Sequence, residues 1–408
     1  MADVELSVRH KSIPPAFWGR MAAQVAGERH PITAFETPLL TFDRAASDHN
    51  VATMLRWAGE RGFELAPHGK TTMAPELWRR LLDAGAWGLT LATPWQVQVA
   101  RAVGIRRILL ANQLVDPVAI AWIAAELDAD PEFEFACWVD SPESIRVLAD
   151  SAGDRPIEVL VELGGAGGRT GARGTDAALA VARLVADEPR LRLRGVAGYE
   201  GSYGSERTPE TIDRIRDYLT ELRALAGVLI AEWAFHDQVP IVTAGGSTWF
   251  DLVAQEWAGL EDHATLVLRS GAFQAHDDVF YAGNSPFADT ELAFRPALAA
   301  WARVVSRPEP TLALLDAGKR DVPSDLDLPV PHRTTTGLDL SAAARIIRLA
   351  DQHAYLELPA DSPLAVGDVV KLGISHPCTA FDKWRLIPEV DDADAPDPRV
   401  IGFIETVF

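Results

Sequence analysis

Between about residues 34 and 275 the chain repeats one unit: a short apolar run ending in polar or glycine residues, then a longer stretch with helical spacing. The runs lie at 63–68, 88–93, 107–112, 133–139, 157–163, 193–199, 240–245 and 264–269, with a ninth at 37–42 ahead of them. Short apolar runs bounded by turn formers predict buried strands. The stretches between them carry helix-start signals. In Thr93-Pro94, Asp116-Pro117, Ser141-Pro142 and Thr208-Pro209 an oxygen-bearing side chain precedes a proline at the first helical position. Strands alternating with helices predict a parallel sheet in an α/β protein. Eight units predict closure into a (β/α)8 TIM-type barrel, with the chemistry at the C-terminal ends of the strands. An open doubly wound sheet is the competing arrangement, and the count of eight favours the barrel.

After about residue 285 the pattern changes. Residues 292–307, 311–315, 344–358, 366–374 and 400–408 read as strands without long helices between them, which predicts a C-terminal β domain. Stretches 317–336 and 388–399, rich in Pro, Asp and Thr, read as loops. The expected organisation is a barrel over 34–280 and a β domain built from 1–33 together with 281–408.

Composition narrows the classes. A net charge of −20 argues against nucleic acid and against an anionic membrane surface, since both need basic protein surface. It leaves a small anionic ligand open. No apolar run approaches the roughly 20 residues that span a bilayer, and residues 1–13 are charged and mixed, unlike a secretion signal. A cytoplasmic protein is expected. Two cysteines cannot build a disulfide framework. Cys137 lies in an apolar run and is predicted to be a buried thiol, whereas Cys378, with polar and proline neighbours, needs another explanation.

A barrel collects its functional groups at the strand ends, and here those positions are polar: His68 and Lys70, Asn112 and Gln113, Glu162 and Arg169, Tyr199 and Glu200, Arg269 and Ser270. Lys70, in Pro67-His68-Gly69-Lys70-Thr71-Thr72, is the sharpest candidate. A lysine at a strand end with a lowered pKa can attack a carbonyl and form an imine, although from position alone a plain surface lysine is the commoner case. Thr243-Ala-Gly-Gly-Ser-Thr248 joins a strand to a helical stretch. Its glycines permit close approach, and backbone N–H groups and hydroxyls at such a junction suit a phosphate. The glycine-rich stretch 164–168 lacks the Gly-Lys-Ser/Thr ending of a nucleotide loop and reads as a turn that aims Arg169 over the barrel mouth. His376 and Cys378 stand at i and i+2. On an extended strand they share a face, and imidazole plus thiolate suits zinc with positions left open for substrate.

Taken in chain order, Pro67-His68-Gly69-Lys70-Thr71, Arg169, Tyr199, Gly245-Gly246-Ser247 and His376-Pro377-Cys378 resemble the D-serine dehydratase-like and D-threonine aldolase-like family of alanine racemase-like pyridoxal 5'-phosphate (PLP) proteins. The resemblance covers about residues 34–408. It implies a barrel with a β domain, and a homodimer in which the β domain faces the partner's barrel. It implies that Lys70 holds PLP through an imine, that Thr243, Gly245, Gly246 and Ser247 cradle its phosphate, that Arg169 and Tyr199 lie near its ring, and that His376 and Cys378 hold Zn2+. Aldolase-like members tend to carry aspartate where Cys378 stands, so the thiolate tilts the reading toward the zinc-dependent dehydratases. Ala66 stands where many relatives carry arginine, and Thr72-Met73 where many carry His-Lys. These departures beside the lysine imply a substrate that need not be D-serine itself, in the branch called amino acid deaminases.

The expected reaction is elimination of water from a D-β-hydroxy amino acid, giving a 2-oxo acid and ammonia, with Lys70 taking the α-proton. The alternatives are retro-aldol cleavage to glycine and an aldehyde, and a PLP-binding protein without turnover.

Overall fold

The computed structural model describes residues 4–232 and 238–408. A first strand, β1 (Leu39–Asp43), leads into a long helix, Arg44–Gly59. The repeated unit then gives β2 (Phe63–Leu65), β3 (Leu89–Leu91), β4 (Arg107–Gln113), β5 (Glu134–Val139), β6 (Ile157–Gly164), a two-residue β7 (Ala172–Arg173), β8 (Leu191–Gly198), β9 (Ile241–Ala244) and β10 (Thr265–Leu268). All eight predicted runs are strands. They pair in parallel in the order β3-β4-β5-β6-β8-β9-β10-β2. The ring closes between β2 and β3: His68 bridges Thr90 in parallel, the Trp87 N–H donates to the Leu65 carbonyl at 2.7 Å, and the Gly69 N–H donates to that of Thr90 at 2.8 Å.

Alternation along the strands sorts the side chains. Leu109, Leu160 and Trp138 fill the barrel interior with Ala66, Ala136, Ala197, Ile241 and Val267. Their neighbours Ile108, Leu110, Val159 and Val161 face the helices. The predicted caps hold: Thr93, Asp116 and Ser141 accept from first-turn N–H groups, as does Thr208 from Thr211. Cys137 is buried, and burial pushes its thiol up to about 12.

The second sheet is mostly antiparallel and contains the strands Leu298–Glu309, Leu312–Leu315, Val330–Thr334, Arg345–Leu349, Ala354–Glu357, Val369–Gly373, Leu386–Val390 and Val400–Glu405. β1 belongs here. It pairs antiparallel with Leu298–Glu309 and parallel with Leu386–Val390, although its apolar pattern placed it in the 34–280 unit. Periodicity marks a strand but not its sheet. Two stretches read as loops also contain strands: Val330–Thr334 pairs with Val369–Gly373, and Leu386–Val390 overlaps the 388–399 stretch. Pairing with an apolar neighbour outweighs their polar composition.

Buried Glu389 locks the two sheets together by accepting from Arg44 and Arg80, which stand on barrel-side helices. The Val407 N–H donates to the Met73 carbonyl at 2.7 Å, beside the Lys70 turn. No helix among the described residues is long and apolar enough to cross a membrane.

Candidate active site

The C-terminal ends of the barrel strands open into a cavity of about 200 Å3. Its wall brings together residues far apart in sequence: Lys70 and His68, Arg169 and Tyr199, Gly245 to Ser247, and His376 with Cys378. Every predicted site residue lines it except Thr243. That hydroxyl is used within the barrel, donating to the Val267 carbonyl at 2.8 Å and accepting from Arg269 at 2.8 Å. Larger depressions on the outer surface, of about 670 and 570 Å3, contain none of these residues.

Lys70 sits in the turn after β2, just beyond the His68 bridge that closes the barrel. Its side chain is reached from the cavity, yet the surrounding wall desolvates the amine and lowers its pKa. The Cys378 thiol opposes this shift, and the positive charges of Arg169 and Arg269 add to it. Burial, then Lys70 and both arginines, push His68 well below its ordinary value, so the imidazole stays neutral. Its Nδ1 is buried and has no hydrogen-bond partner among the described residues.

The Lys70 turn and the His376–Cys378 pair meet at one contact: the Thr71 hydroxyl lies 3.2 Å from the Cys378 sulfur. The pair is not extended as expected. His376 takes a left-handed backbone, φ +55°, and Cys378 opens the short helix Cys378–Phe381. A tight turn, rather than strand alternation, brings the two side chains together. Burial pulls the imidazole down, but the neighbouring Cys378 and Asp325 hold it up at about 9. Among the described residues no group of three or more His, Cys, Asp or Glu side chains is placed to hold a metal. Imidazole and thiolate are the right donor types for zinc, and a two-donor set fits it only with positions left open.

The glycine turn departs from expectation in one respect. Buried Glu200 accepts from the Gly245 N–H at 3.1 Å and from the Gly246 N–H, so these two donors are already engaged. Ser247 lines the cavity beside them, together with Gly271 and Ala272, which follow β10. The Ala272 N–H donates to the Ser247 hydroxyl at 3.2 Å, and a Cβ at Gly271 would stand 2.6 Å from the His68 carbonyl. Only glycine lets this turn close against the lysine strand. The cradle, buried polar atoms of two lining residues without partners among the described residues, His68 Nδ1 and Arg269 Nε, and a desolvated amine fit a phosphorylated aldehyde.

Sequence reasoning placed Glu200, Arg269 and Ser270 at strand ends without giving them roles. Arg269 is fully enclosed, donates to the Gly198 carbonyl at 2.6 Å and to Thr243, and lies over the Trp138 ring. The Arg169 guanidinium stands 4.6 Å over the Tyr199 ring. Gly271, Ala272 and Tyr281 were not singled out. Burial, then the neighbouring Cys378, hold the Tyr281 phenol well above its usual value. A Gly-Ala pair just beyond Arg269 and Ser270 at the end of the last barrel strand was the available signal for the first two; nothing local marked Tyr281.

Comparison with known proteins agrees with this geometry. Residues 42–233 match the family model "Alanine racemase, N-terminal domain", and residues 297–390 match "Putative serine dehydratase domain". A D-threonine aldolase from Arthrobacter sp is 26% identical over 360 residues, covering 86% of this chain and 88% of that one. The D-threonine aldolase structure from Filomicrobium marinum superposes with a TM-score of 0.78 at 25% identity, covering 93% of this chain and 97% of that one. A metal-free cysteine-to-alanine mutant of D-threo-3-hydroxyaspartate dehydratase superposes at 0.73 with 21% identity, over 93% and 99% of the two chains.

Proposed function

We propose, for a chain that belongs to the D-serine dehydratase-like and D-threonine aldolase-like family of alanine racemase-like proteins, a PLP- and zinc-dependent lyase that eliminates water from a D-β-hydroxy amino acid such as D-serine. The observation that carries the reading is the Thr71–Cys378 contact, which sets a thiol–imidazole pair beside a desolvated lysine in one cavity. Relatives by name act on D-threonine and 3-hydroxy-D-aspartate, all D-β-hydroxy amino acids.

Lys70 would hold the cofactor, with Ser247, Gly271 and Ala272 at its phosphate and Tyr199 and Arg169 at its ring. His376 and Cys378 would hold the metal. When bound, the two groups supply an electron sink for charge developing at Cα and a Lewis acid for the departing hydroxyl. The chain's own part is positional and protonic. The lowered pKa of Lys70 gives its Nζ a neutral fraction able to take the Cα proton. His68, kept neutral, does not compete as a cation. Arg169, with no carboxylate partner among the described residues, leaves a guanidinium at the mouth for an anionic substrate. The small cavity limits the substrate's side chain.

Retro-aldol cleavage is the second reading, favoured by the D-threonine aldolase relatives. One experiment separates the two. The protein, supplied with PLP and Zn2+, is incubated in turn with D-serine, D-threo-3-hydroxyaspartate and D-threonine, and four products are assayed. Ammonia and a 2-oxo acid support elimination. Glycine and an aldehyde replace it with the aldolase. Neither pair from any of the three substrates would overturn the lyase reading.

A further inference from the structure

His376 is held more firmly than a loop residue needs to be. It is a non-glycine residue at φ +55°, a left-handed conformation that persists only where its surroundings impose it. Two carboxylates from different segments do so. Asp277, fully buried, accepts the His376 backbone N–H at 2.8 Å and also those of Val279 at 3.0 Å and Tyr281 at 2.8 Å. Asp325 takes the ring, its Oδ2 lying 2.5 Å from His376 Nδ1. Its other oxygen accepts from the Thr379 hydroxyl at 2.7 Å, which fixes the carboxylate as well as the imidazole. One residue back, the Ser375 hydroxyl donates to Asp327 at 3.0 Å.

Asp325 and Asp327 come from the stretch that sequence composition marks as a plain loop. The start of that stretch is anchored: the Gly318 N–H donates to the Asp321 carboxylate at 3.0 Å, and the Trp384 indole to the Asp321 carbonyl at 2.8 Å. With Nδ1 turned to a carboxylate, Nε2 is the ring nitrogen left for Cys378 and a metal. A histidine that binds a metal through one nitrogen characteristically gives its other N–H to a carboxylate, which sets tautomer and ring orientation and strengthens the ligand.

We propose that Asp325 is a positioning residue for the metal site, fixing the His376 ring so that Nε2 faces the position shared with Cys378. The proposal rests on the zinc reading given above. The Asp325 side chain is 42% exposed, so replacing it does not strand a buried charge.

The test compares metal-free wild type, Asp325→Asn and Asp325→Glu by titration with Zn2+ against a competing chelator and by the absorption spectrum of bound Co2+. PLP binding and the melting temperature of the metal-free protein are measured alongside. The expected result is roughly 10- to 100-fold weaker metal binding in Asp325→Asn, with an altered cobalt spectrum, partial recovery in Asp325→Glu, and PLP affinity and metal-free melting temperature unchanged. Wild-type metal affinity in Asp325→Asn would overturn the proposal and leave the zinc reading standing. Lower affinity accompanied by a matching drop in the metal-free melting temperature would also overturn it, by reducing Asp325 to a structural role. Failure of the wild type to bind either ion would overturn the zinc reading itself, and the proposal with it.

Discussion

The two halves of the cavity are built on different principles. The lysine half grows out of regular structure: β2 ends, His68 closes the barrel onto Thr90, and Lys70 follows in the turn. The imidazole–thiol half has no such frame. It is a left-handed residue and a four-residue helix held in place by carboxylates from distant loops. A site resting on a barrel strand inherits its geometry from the fold, whereas one resting on a turn must be positioned by its own contacts. The lysine half should therefore tolerate changes around it, and the metal half should be sensitive to them.

The largest expected effect tests whether the halves are separable. Lys70→Ala should lower turnover by about 10^2- to 10^4-fold, the range for losing a positioned acid–base group, and remove the absorbance of bound cofactor, while Zn2+ affinity is retained. Loss of metal binding in that variant would show that the halves fold as one unit. The converse change, Cys378→Ala, should weaken metal binding and lower turnover by at least roughly 10- to 100-fold, the cost of disturbing even an outer-shell partner of a metal. Cofactor absorbance should persist, and its disappearance would break the comparison from the other side.

A third prediction concerns the segment joining the halves. His276 lies between the Gly271 turn and Tyr281, and burial lowers its pKa to about 4 from 6.5. The unfolded chain therefore takes a proton near pH 6.5 that the folded chain refuses until about pH 4. Stability falls across that window by up to about 3 kcal/mol and is unaffected above it. Asp277, raised by burial to about 6, works in the opposite sense, gaining stability as pH falls from 6 toward 4. Unfolding of wild type and His276→Asn, measured between pH 7 and pH 4, isolates the first contribution. Asparagine suits the backbone there, φ +47°. Equal pH slopes in the two proteins would refute it.

The smallest effect is at the seam. Thr71→Val keeps the shape but removes the hydroxyl 3.2 Å from the Cys378 sulfur. One such hydrogen bond is worth about 1 kcal/mol, so metal affinity should fall by about fivefold with cofactor affinity unchanged. An equal fall in both would mean that Thr71 serves the lysine turn rather than the seam.

The same contrast explains what was legible in the sequence. The eight barrel runs, the proline-marked helix starts and Lys70 all follow from local periodicity and capping, which are readable in a window of a dozen residues. His376 and Cys378 were found by residue type, but the extended geometry assigned to them was wrong, because the turn depends on Asp277 and Asp325, many residues away. The glycine turn lines the cavity, but that its Gly245 and Gly246 N–H groups belong to Glu200 was not legible, since a strand-end glutamate looks the same whether it faces solvent or a neighbouring loop. Thr243 lies outside the cavity lining for a related reason: next to Arg269 in space, its hydroxyl is engaged inside the barrel wall. Partners that come from elsewhere in the chain leave no local trace.

The placement of β1 also bears on aggregation. Its residues are buried throughout, with Leu39 opposite Trp301 and Phe42 opposite both Leu298 and Glu389. A fragment cut to residues 34–280, as the repeat pattern invites, would carry this strand without either partner. Five consecutive residues with unpaired backbone groups, with the apolar side chains of Leu39, Leu40 and Phe42 among them, make an open edge of the kind that recruits other chains. Such a fragment should form oligomers or precipitate even with its barrel intact, whereas one starting at the helix Arg44–Gly59 would be free of that edge.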